Sequence, residues 1–512
     1  MPTPVKFPGV SVQENPSGTV TITGVETSIT AFVGRAVMGP LAPMHCFGLA
    51  DFARAFGGTA AGYPLGDAVA DFFGNGGGHA IIVRVFKAPA GAGDGLARAT
   101  GGGLTLAAAT PGAWANGGLS MSIEASATSV DVFNLVLTYK ASNGGETAER
   151  FQGVSIKVDA GPRRLDQVLE TQSQLARVPS GELPTATPTA VTDVAFAGGA
   201  DSADLSAADL TGDPELHTGI YALDNVDLFN LMCIPPDPVD ADYGDLETLY
   251  QAAALYCLQR RAMLILDPSK AWSDHVGQGK LDQIQPTDLG FGGPEEARNC
   301  AVYFPRIRKA DPATGQIETF PPCGAIAGIF AATDNARGVW KAPAGTSAGI
   351  AGIAGLEFNL SDEQNGQLNS VGINCLRNFP IIGPVVWGAR TLRGADLLSD
   401  DYKYVPVRRL ALYIEESLVR GTKFAVFEPN GEALWSTLRQ SVGAFMTTLF
   451  RQGAFFGYNV ACDRTTTTQD DIDRGVVNVR VAFAPMKPAE FIMLQIQQQA
   501  GQTAPQGVAR IP

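Results

Sequence analysis

The sequence predicts a multidomain protein of mixed α/β (α+β) class, with α/β sandwich-like core domains, an inserted β-rich domain and extended N- and C-terminal arms. Three observations predict it. Short β-branched runs alternate with amphipathic helical segments through most of the chain. Between residues 88 and 205 the composition turns to Gly, Ala, Pro, Ser and Thr, broken by brief alternating strands. Both ends alternate with period two and have no obvious partner strand in the sequence. At 512 residues the chain exceeds the size at which one core keeps growing, so about three or four domains are expected. The boundaries read as an arm over 1–24, a first α/β segment over 25–87, the β-rich insertion over 88–205, a middle α/β domain over 206–360, a C-terminal α/β core over 361–487 and a second arm over 488–512.

In order along the chain, residues 1–20 carry Pro4, Pro8 and Pro16 and place Val10 and Val12 opposite Ser11 and Gln13, a pattern suited to a sheet edge. "TSITAFVGRA" reads as a strand, "LADFARAFGG" and "LGDAVADFF" as helices, and "AIIVRVF" as a strand. In the insertion, "LSMSIEAS", "VFNLVLTYK" and "VSIKVD" are short strands. "VDLFNLMCIPP" and "AMLILDP" are buried strands flanking the helix "DLETLYQAAALYCLQRR". "NCAVYFPRIRKADPATGQIETFPP" then reads as strand, turn and strand, and "CGAIAGIFAATDNARG" as a helix, the order of a doubly wound sheet. "VVWGARTL" and "KFAVFEPN" read as strands on either side of the helix "PVRRLALYIEESLVRG". A long helix is expected over 432–452, with Asn430 as N-cap, Gly453 as its stop and an apolar stripe through Leu434, Leu438, Val442, Phe445 or Met446, and Leu449. Two alternating strands, "VVNVRVAF" and "EFIMLQIQ", close the chain.

Composition excludes several functions. The net charge of −14 argues against nucleic acid as the main partner, since backbone phosphates require clustered Lys and Arg. Residues 201–250 hold twelve Asp and Glu and no Lys or Arg, whereas residues 401–512 carry a net +2. The seven cysteines include no C-x-x-C pair and read as reduced, buried small hydrophobes in a cytosolic product. No basic n-region with an apolar core opens the chain and no run approaches 18 apolar residues, so neither a signal peptide nor a membrane span is expected.

No constellation of catalytic residues emerges. In "FFGNGGGHAIIVRV" the glycines follow a helix and precede a strand, the reverse of a phosphate-binding loop, because a helix C-terminus repels phosphate. "GTSAG" around Ser347 lacks the strand that a nucleophile elbow needs. "DPVDADYGDLE" misplaces the glycine of a calcium loop and has Gln251 where the closing Glu belongs. His45, His79, His217 and His275 lie far apart, without ligand spacing, and Glu415 and Glu416 diverge around their helix. The expectation is a non-enzyme with no cofactor and no metal.

Several stretches together resemble the tail sheath protein family of contractile phage tails and contractile injection systems. They are "FPGVSVQE", "ITGVETSITAFVGRAVMGPL", the glycine turn above, "FPPCGAIAGIFAATDNARGVWKAPAG", "GINCLRNFP", "VWGARTL", "YVPVRRLALYIEESLVRGTKFAVFEPN", "LWSTLRQSVGAFMTTLFRQGAF" and "GVVNVRVAFAPMKPAEFIMLQIQQ". They occur in family order; residues 88–200 carry no such resemblance. The resemblance implies a structural subunit that polymerises, as stacked hexameric rings, into a six-start helical cylinder around an inner tube. That cylinder is metastable when extended and contracts without nucleotide hydrolysis to drive the tube into a target. The implied partners are the chain itself, an inner tube protein, baseplate and terminal cap proteins, and in some particles a second sheath paralogue. The implied setting is assembly in a bacterial cytoplasm as part of a phage tail or phage-tail-like particle, including released ones. Strand addition between subunits would use Val5, Phe7, Val10 and Val12 of the N-terminal arm and Ile492, Leu494 and Ile496 of the C-terminal arm. Both would add to Val477, Val479, Val481 and Phe483 of neighbours. Arg439 and Arg451 are the candidate inner-tube contacts.

Overall fold

The computed structural model describes residues 20–126, 129–141, 144–239, 243–291, 295–311 and 314–493. The first segment supplies β1 (Thr30–Gly34), β2 (Met44–Cys46), α1 (Leu49–Phe56), α2 (Pro64–Gly74) and β3 (Ala80–Arg84). Between α2 and β3 the glycines make the anticipated helix-to-strand turn. Gly76 adopts φ +103°, where a Cβ would stand 2.8 Å from that of Ala332, and a Cβ on Gly77 would strike the Phe72 ring.

The insertion folds as its own unit. Its strands are β4 (Arg98–Gly101), β5 (Leu104–Ala108), β6 (Leu119–Ala125), β7 (Phe133–Lys140), β8 (Glu146–Val154), β9 (Ala176–Arg177) and β10 (Val191–Ala195), with α3 (Leu165–Gln172) between β8 and β9. They form one sheet in the order β10-β6-β7-β8 and another in the order β4-β5-β9. Leu119, Met121, Leu135, Leu137 and Phe196 fill a core separate from the rest of the chain. Alternation along β6 places Leu119, Met121 and Ile123 inward, and the intervening serines are half-buried.

The chain then returns to the first segment's sheet through α4 (Ala207–Thr211), β11 (Leu231–Cys233), α5 (Tyr243–Gln259), β12 (Met263–Leu266), α6 (Lys270–Gly277) and β13 (Cys300–Phe304). A small three-stranded sheet follows from β14 (Ile307–Ala310), β15 (Ile317–Phe320) and β16 (Gly355–Leu356), with α7 (Cys323–Arg337) between the last two. After α8 (Asp362–Ser370), β17 (Asn374–Phe379) and β18 (Gly383–Val386) complete an eight-stranded sheet in the order β18-β17-β13-β12-β11-β1-β3-β2. Its inner strands are parallel, and only the outermost two, β2 and β18, run antiparallel to their neighbours.

Helices cover both faces, which explains the near-continuous apolar runs. Ala31, Met232, Leu264 and Val302 point to one core, while Phe32, Leu231, Ile265 and Tyr303 point to the other. The segments 25–87 and 206–360 therefore share a single sheet with strands at 374–386.

Candidate functional site

The C-terminal lobe consists of α9 (Val405–Gly421), α10 (Glu432–Arg451), β19 (Phe455–Ala461), α11 (Gln469–Asp473) and β20 (Arg480–Pro485). Leu434, Leu438, Val442, Phe445, Met446 and Leu449 are buried along α10, as its spacing requires. Gly453 at φ +82° ends that helix. β19 and β20 pair antiparallel from Phe455↔Pro485 to Ala461↔Arg480. Val479, Val481 and Phe483 pack on the cluster formed by Leu410, Ile414, Val442 and Phe445, whereas Arg480, Ala482 and Ala484 are exposed. This two-stranded sheet thus rests one face on the helices, and among the described residues neither outer edge has a strand partner. A lone hairpin is marginal in water, so the helices beneath it and any strand added beside it carry its stability.

The N-terminal end of the described chain attaches to this lobe, and the C-terminal end to the segment between β18 and α9. Ile22 is buried against Gly421, and the Val20 and Val25 amides donate to Ser441 Oγ (3.1 Å) and Ser417 Oγ (3.2 Å). At the other end, Glu490 accepts a bidentate pair from Arg390, Nε at 2.8 Å and Nη2 at 2.6 Å. The Arg390 side chain is 1% exposed and also reaches Asp396. The first residues of the C-terminal arm are therefore fixed by charge-assisted bonds.

Several sequence expectations change here. "KFAVFEPN" is not a strand: Lys423–Ala425 form a 3-10 turn and the rest is a loop. Its apolar residues divide, with Phe424 and Ala425 packed on Leu434, Trp435 and Leu438 while Val426 and Phe427 face solvent. The N-cap of α10 is Gly431; Asn430 instead accepts from Trp435 Nε1 and donates to the Val476 carbonyl. "VVNVRVAF" becomes strand only at Arg480, because the Val476 carbonyl and the Asn478 amide are taken by Asn430 and Thr467 side chains rather than by a ladder. Val477 and Val479 consequently lie ahead of β20. "VVWGARTL" leaves the sheet after Val386, where Gly388 passes against Asn374. Residues 490–493 of "EFIMLQIQ" form no strand, and Ile492 is exposed. Val5, Phe7, Val10, Val12, Leu494 and Ile496 lie outside the described residues. Arg439 is engaged within its own chain, by Glu432 (2.9 Å) and the Cys462 carbonyl. Arg451, at the end of α10, is exposed and makes no ion pair among the described residues.

Two family models match the chain, the phage tail sheath protein central domain over residues 296–392 and the phage tail sheath C-terminal domain over residues 399–499. Over these two stretches the chain is similar to tail sheath proteins. The central domain of the family falls on β13 to β18, and its C-terminal domain on α9 through β20. The tail sheath protein of Vibrio phage KVP40 is 30% identical over 175 residues, 34% of this chain but only 26% of that protein. The tail sheath protein of Burkholderia phage BcepMu is 24% identical over 96% of both chains. In fold, the sheath of the anti-feeding prophage in its contracted state matches with a TM-score of 0.59 at 23% identity, covering 97% of this chain and 100% of that one. A crystal structure of a sheath tail protein from Listeria innocua matches with a TM-score of 0.59 at 11% identity, covering 91% and 96%.

Of the groups that could have suggested an enzyme, Asp237, Glu415 and Glu416 are taken up in ion pairs. Ser347 lies in an exposed turn that no strand enters. Asp237 is buried against Arg35, Nε to Oδ2 at 2.6 Å. Glu416 binds Arg420 (2.6 Å), and Glu415 faces Arg408 (3.4 Å). The fold does bring two histidines together. His45 Nδ1 and His79 Nε2 lie 2.8 Å apart because β2 runs antiparallel to β3, a pairing invisible in the spacing of 34 residues. Among the described residues no group of three or more His, Cys, Asp or Glu could hold a metal ion, and all seven cysteines are buried and unbridged.

Among the described residues the most perturbed carboxyl is Asp267, fully buried after β12, where it accepts the Cys323 amide at the start of α7 (2.8 Å). Burial pushes its pKa up to about 7. Because that value lies above the unfolded one, the protonated group adds stability that is complete at about pH 4 and lost as pH rises through about 7. Asp267→Asn keeps the acceptor without a charge. It is expected to be more stable than the parent at pH 8 by about 1–3 kcal/mol, with the gap closing toward pH 4. Urea midpoints at the two pH values check this.

Proposed function

We propose that the chain is the subunit of a contractile sheath. It polymerises as stacked hexameric rings into a six-start helical cylinder around an inner tube, is held extended in a metastable state, and contracts to drive the tube into a target without consuming nucleotide. The observation that carries the reading is the β19–β20 pair, a two-stranded sheet whose outer edges have no strand partner among the described residues. Strands donated by neighbours satisfy those edges through main-chain hydrogen bonds, which specify register while leaving whole subunits free to rotate. The outer edge of Arg480–Pro485, without a strand partner among the described residues, receives one arm and that of Phe455–Ala461 the other. Head-to-tail contacts of this kind do not close and so build a helix. The remaining partners are the baseplate and a terminal cap, at which polymerisation starts and stops. No helix among the described residues is long and apolar enough to cross a membrane.

Negative-stain microscopy of the protein alone, and then with its particle's tube and baseplate, tests the reading. The expected result is hollow cylinders in two lengths, long on the tube and short without it. A single invariant length would point to a static polymer, and dispersed particles under both conditions would sink the assignment.

The tube contact narrows to Arg451, since Arg439 is already bonded to Glu432. Arg451→Glu is expected to reduce co-sedimentation with tubes several-fold and to leave the melting temperature unchanged, because an exposed unpaired charge contributes little to folding. Unchanged co-sedimentation would remove Arg451 from the tube interface.

A further inference from the structure

A cleft of about 890 Å³ opens at the C-terminal end of α10, beside Gln452 and Gly453. Its apolar wall includes Trp340, Trp387 and the exposed ring of Phe491, with Trp387 fixed edge-on against Phe379 at 4.7 Å. Its carboxylates are already spent: Asp362 binds Arg377 (2.8 Å) and Glu490 binds Arg390 (2.6 Å). Its cations are not. Arg337, Lys341 and Lys487 line the cleft without a carboxylate partner among the described residues, and Lys341 Nζ donates to the carbonyls of Ala342 (2.7 Å) and Ala344 (3.5 Å). In a chain of net charge −14, an apolar cleft rimmed by three uncompensated cations calls for an acidic, aromatic occupant.

The chain carries such an element at the other end of α10. Phe427 is fully exposed, Val426 is 61% exposed, and Phe427 holds φ +68°, a conformation bulky side chains avoid. The base of this loop is fixed by packing of Phe424 and Ala425 and by bonds from the Val426 and Glu428 amides to Lys423 and Ala425 carbonyls. Glu428 is exposed and has no cation partner among the described residues. A strained backbone that presents two apolar side chains and a free carboxylate to water is the form of an interface anchor.

We propose that the Val426–Glu428 knob of one subunit seats in the Trp340/Trp387 cleft of a second copy, with Glu428 meeting the Lys341 and Lys487 ammonium groups. The proposal rests on the polymer reading above and names a contact within it. A 20-residue helix, about 30 Å long, separates knob from cleft, so no subunit fills its own cleft and the contact runs head to tail.

The test uses the full chain with Phe427→Cys and Ala489→Cys, Ala489 being an exposed residue of the cleft. The native cysteines are buried, and the two new ones are too far apart to bridge within a subunit. Mild oxidation of assembled cylinders is expected to give a reducible ladder of covalent multimers that neither single variant gives. Glu428→Lys is expected to cut polymer yield at least tenfold, and Lys341→Glu with Lys487→Glu in the same chain to restore it. Cylinders that form normally but give no ladder and tolerate Glu428→Lys would overturn the knob-in-cleft contact and leave the polymer reading standing. Failure of the unmodified chain to polymerise with its tube would overturn the polymer reading and the contact with it. A benzophenone attached to the new thiol of the Phe427→Cys single variant that labels tube or baseplate protein instead of a second copy would also overturn the contact.

Discussion

Replacing Arg409 by alanine is expected to lower the unfolding free energy by about 3–5 kcal/mol, the cost of leaving one member of a buried ion pair without the other. Arg409 on α9 grips Asp334 on α7 through Nη1 (2.8 Å) and Nη2 (2.6 Å), and both side chains are almost fully buried. The same guanidinium donates to the Thr27 carbonyl (2.8 Å), the Thr27 hydroxyl donates to Asp334 (2.7 Å), and the Phe330 ring lies 4.9 Å away. One cluster therefore ties the start of the chain, the helix under the large sheet and the C-terminal lobe. Asp334→Ala should cost a similar amount. Arg409→Met with Asp334→Leu should cost less than either single change, since it strands no charge. Arg54→Ala, which breaks an exposed pair with Asp51, should cost less than about 0.5 kcal/mol. Denaturant midpoints of the four variants give the ranking. Equal losses for Arg409→Ala and Arg54→Ala would show that the cluster is peripheral to stability.

The same cluster shows what could be read from the sequence and what could not. The helices at 323–337, 405–421 and 432–451 and the buried strands at 30–34, 231–233, 263–266 and 300–304 announce themselves, because local periodicity and β-branched composition record which faces are buried. Pairing across 75 residues, as between Asp334 and Arg409, or across 382, as between Thr27 and Arg409, leaves no periodic trace. The charges of Arg409 and Arg390 look like those of any exposed helix or loop until the fold encloses them. "KFAVFEPN" misleads for the converse reason: its alternation is real, but Phe424 fills a helix-lined core while Phe427 turns outward, and no second strand lies beside it among the described residues. At the candidate site, β20 is legible from the alternation of Val479, Val481 and Phe483. Its late start at Arg480 is not, because it depends on Asn430 and Thr467 side chains capturing the preceding backbone.

Deleting Met1 to Gln13 is expected to abolish cylinders while leaving a folded subunit, a larger functional effect than any single substitution on the lobe. The deletion ends before Val20, Ile22 and Val25, whose contacts on α9 and α10 keep the Arg409 cluster and the lobe's core intact. What is lost is the donated strand that, under the proposed function, satisfies one edge of β19–β20 in a neighbour. Each such strand contributes several main-chain hydrogen bonds, worth about 1 kcal/mol apiece. Repetition around every ring makes their loss cooperative. Circular dichroism and melting temperature should match the full chain, while sedimentation and microscopy show monomers or short oligomers. A soluble peptide of residues 1–13 added in excess should bind the truncated subunit without restoring cylinders, since it fills the edge but links nothing. Long cylinders from the truncated chain would mean that neighbours are joined elsewhere, and the C-terminal arm and the knob-in-cleft contact would then have to account for assembly.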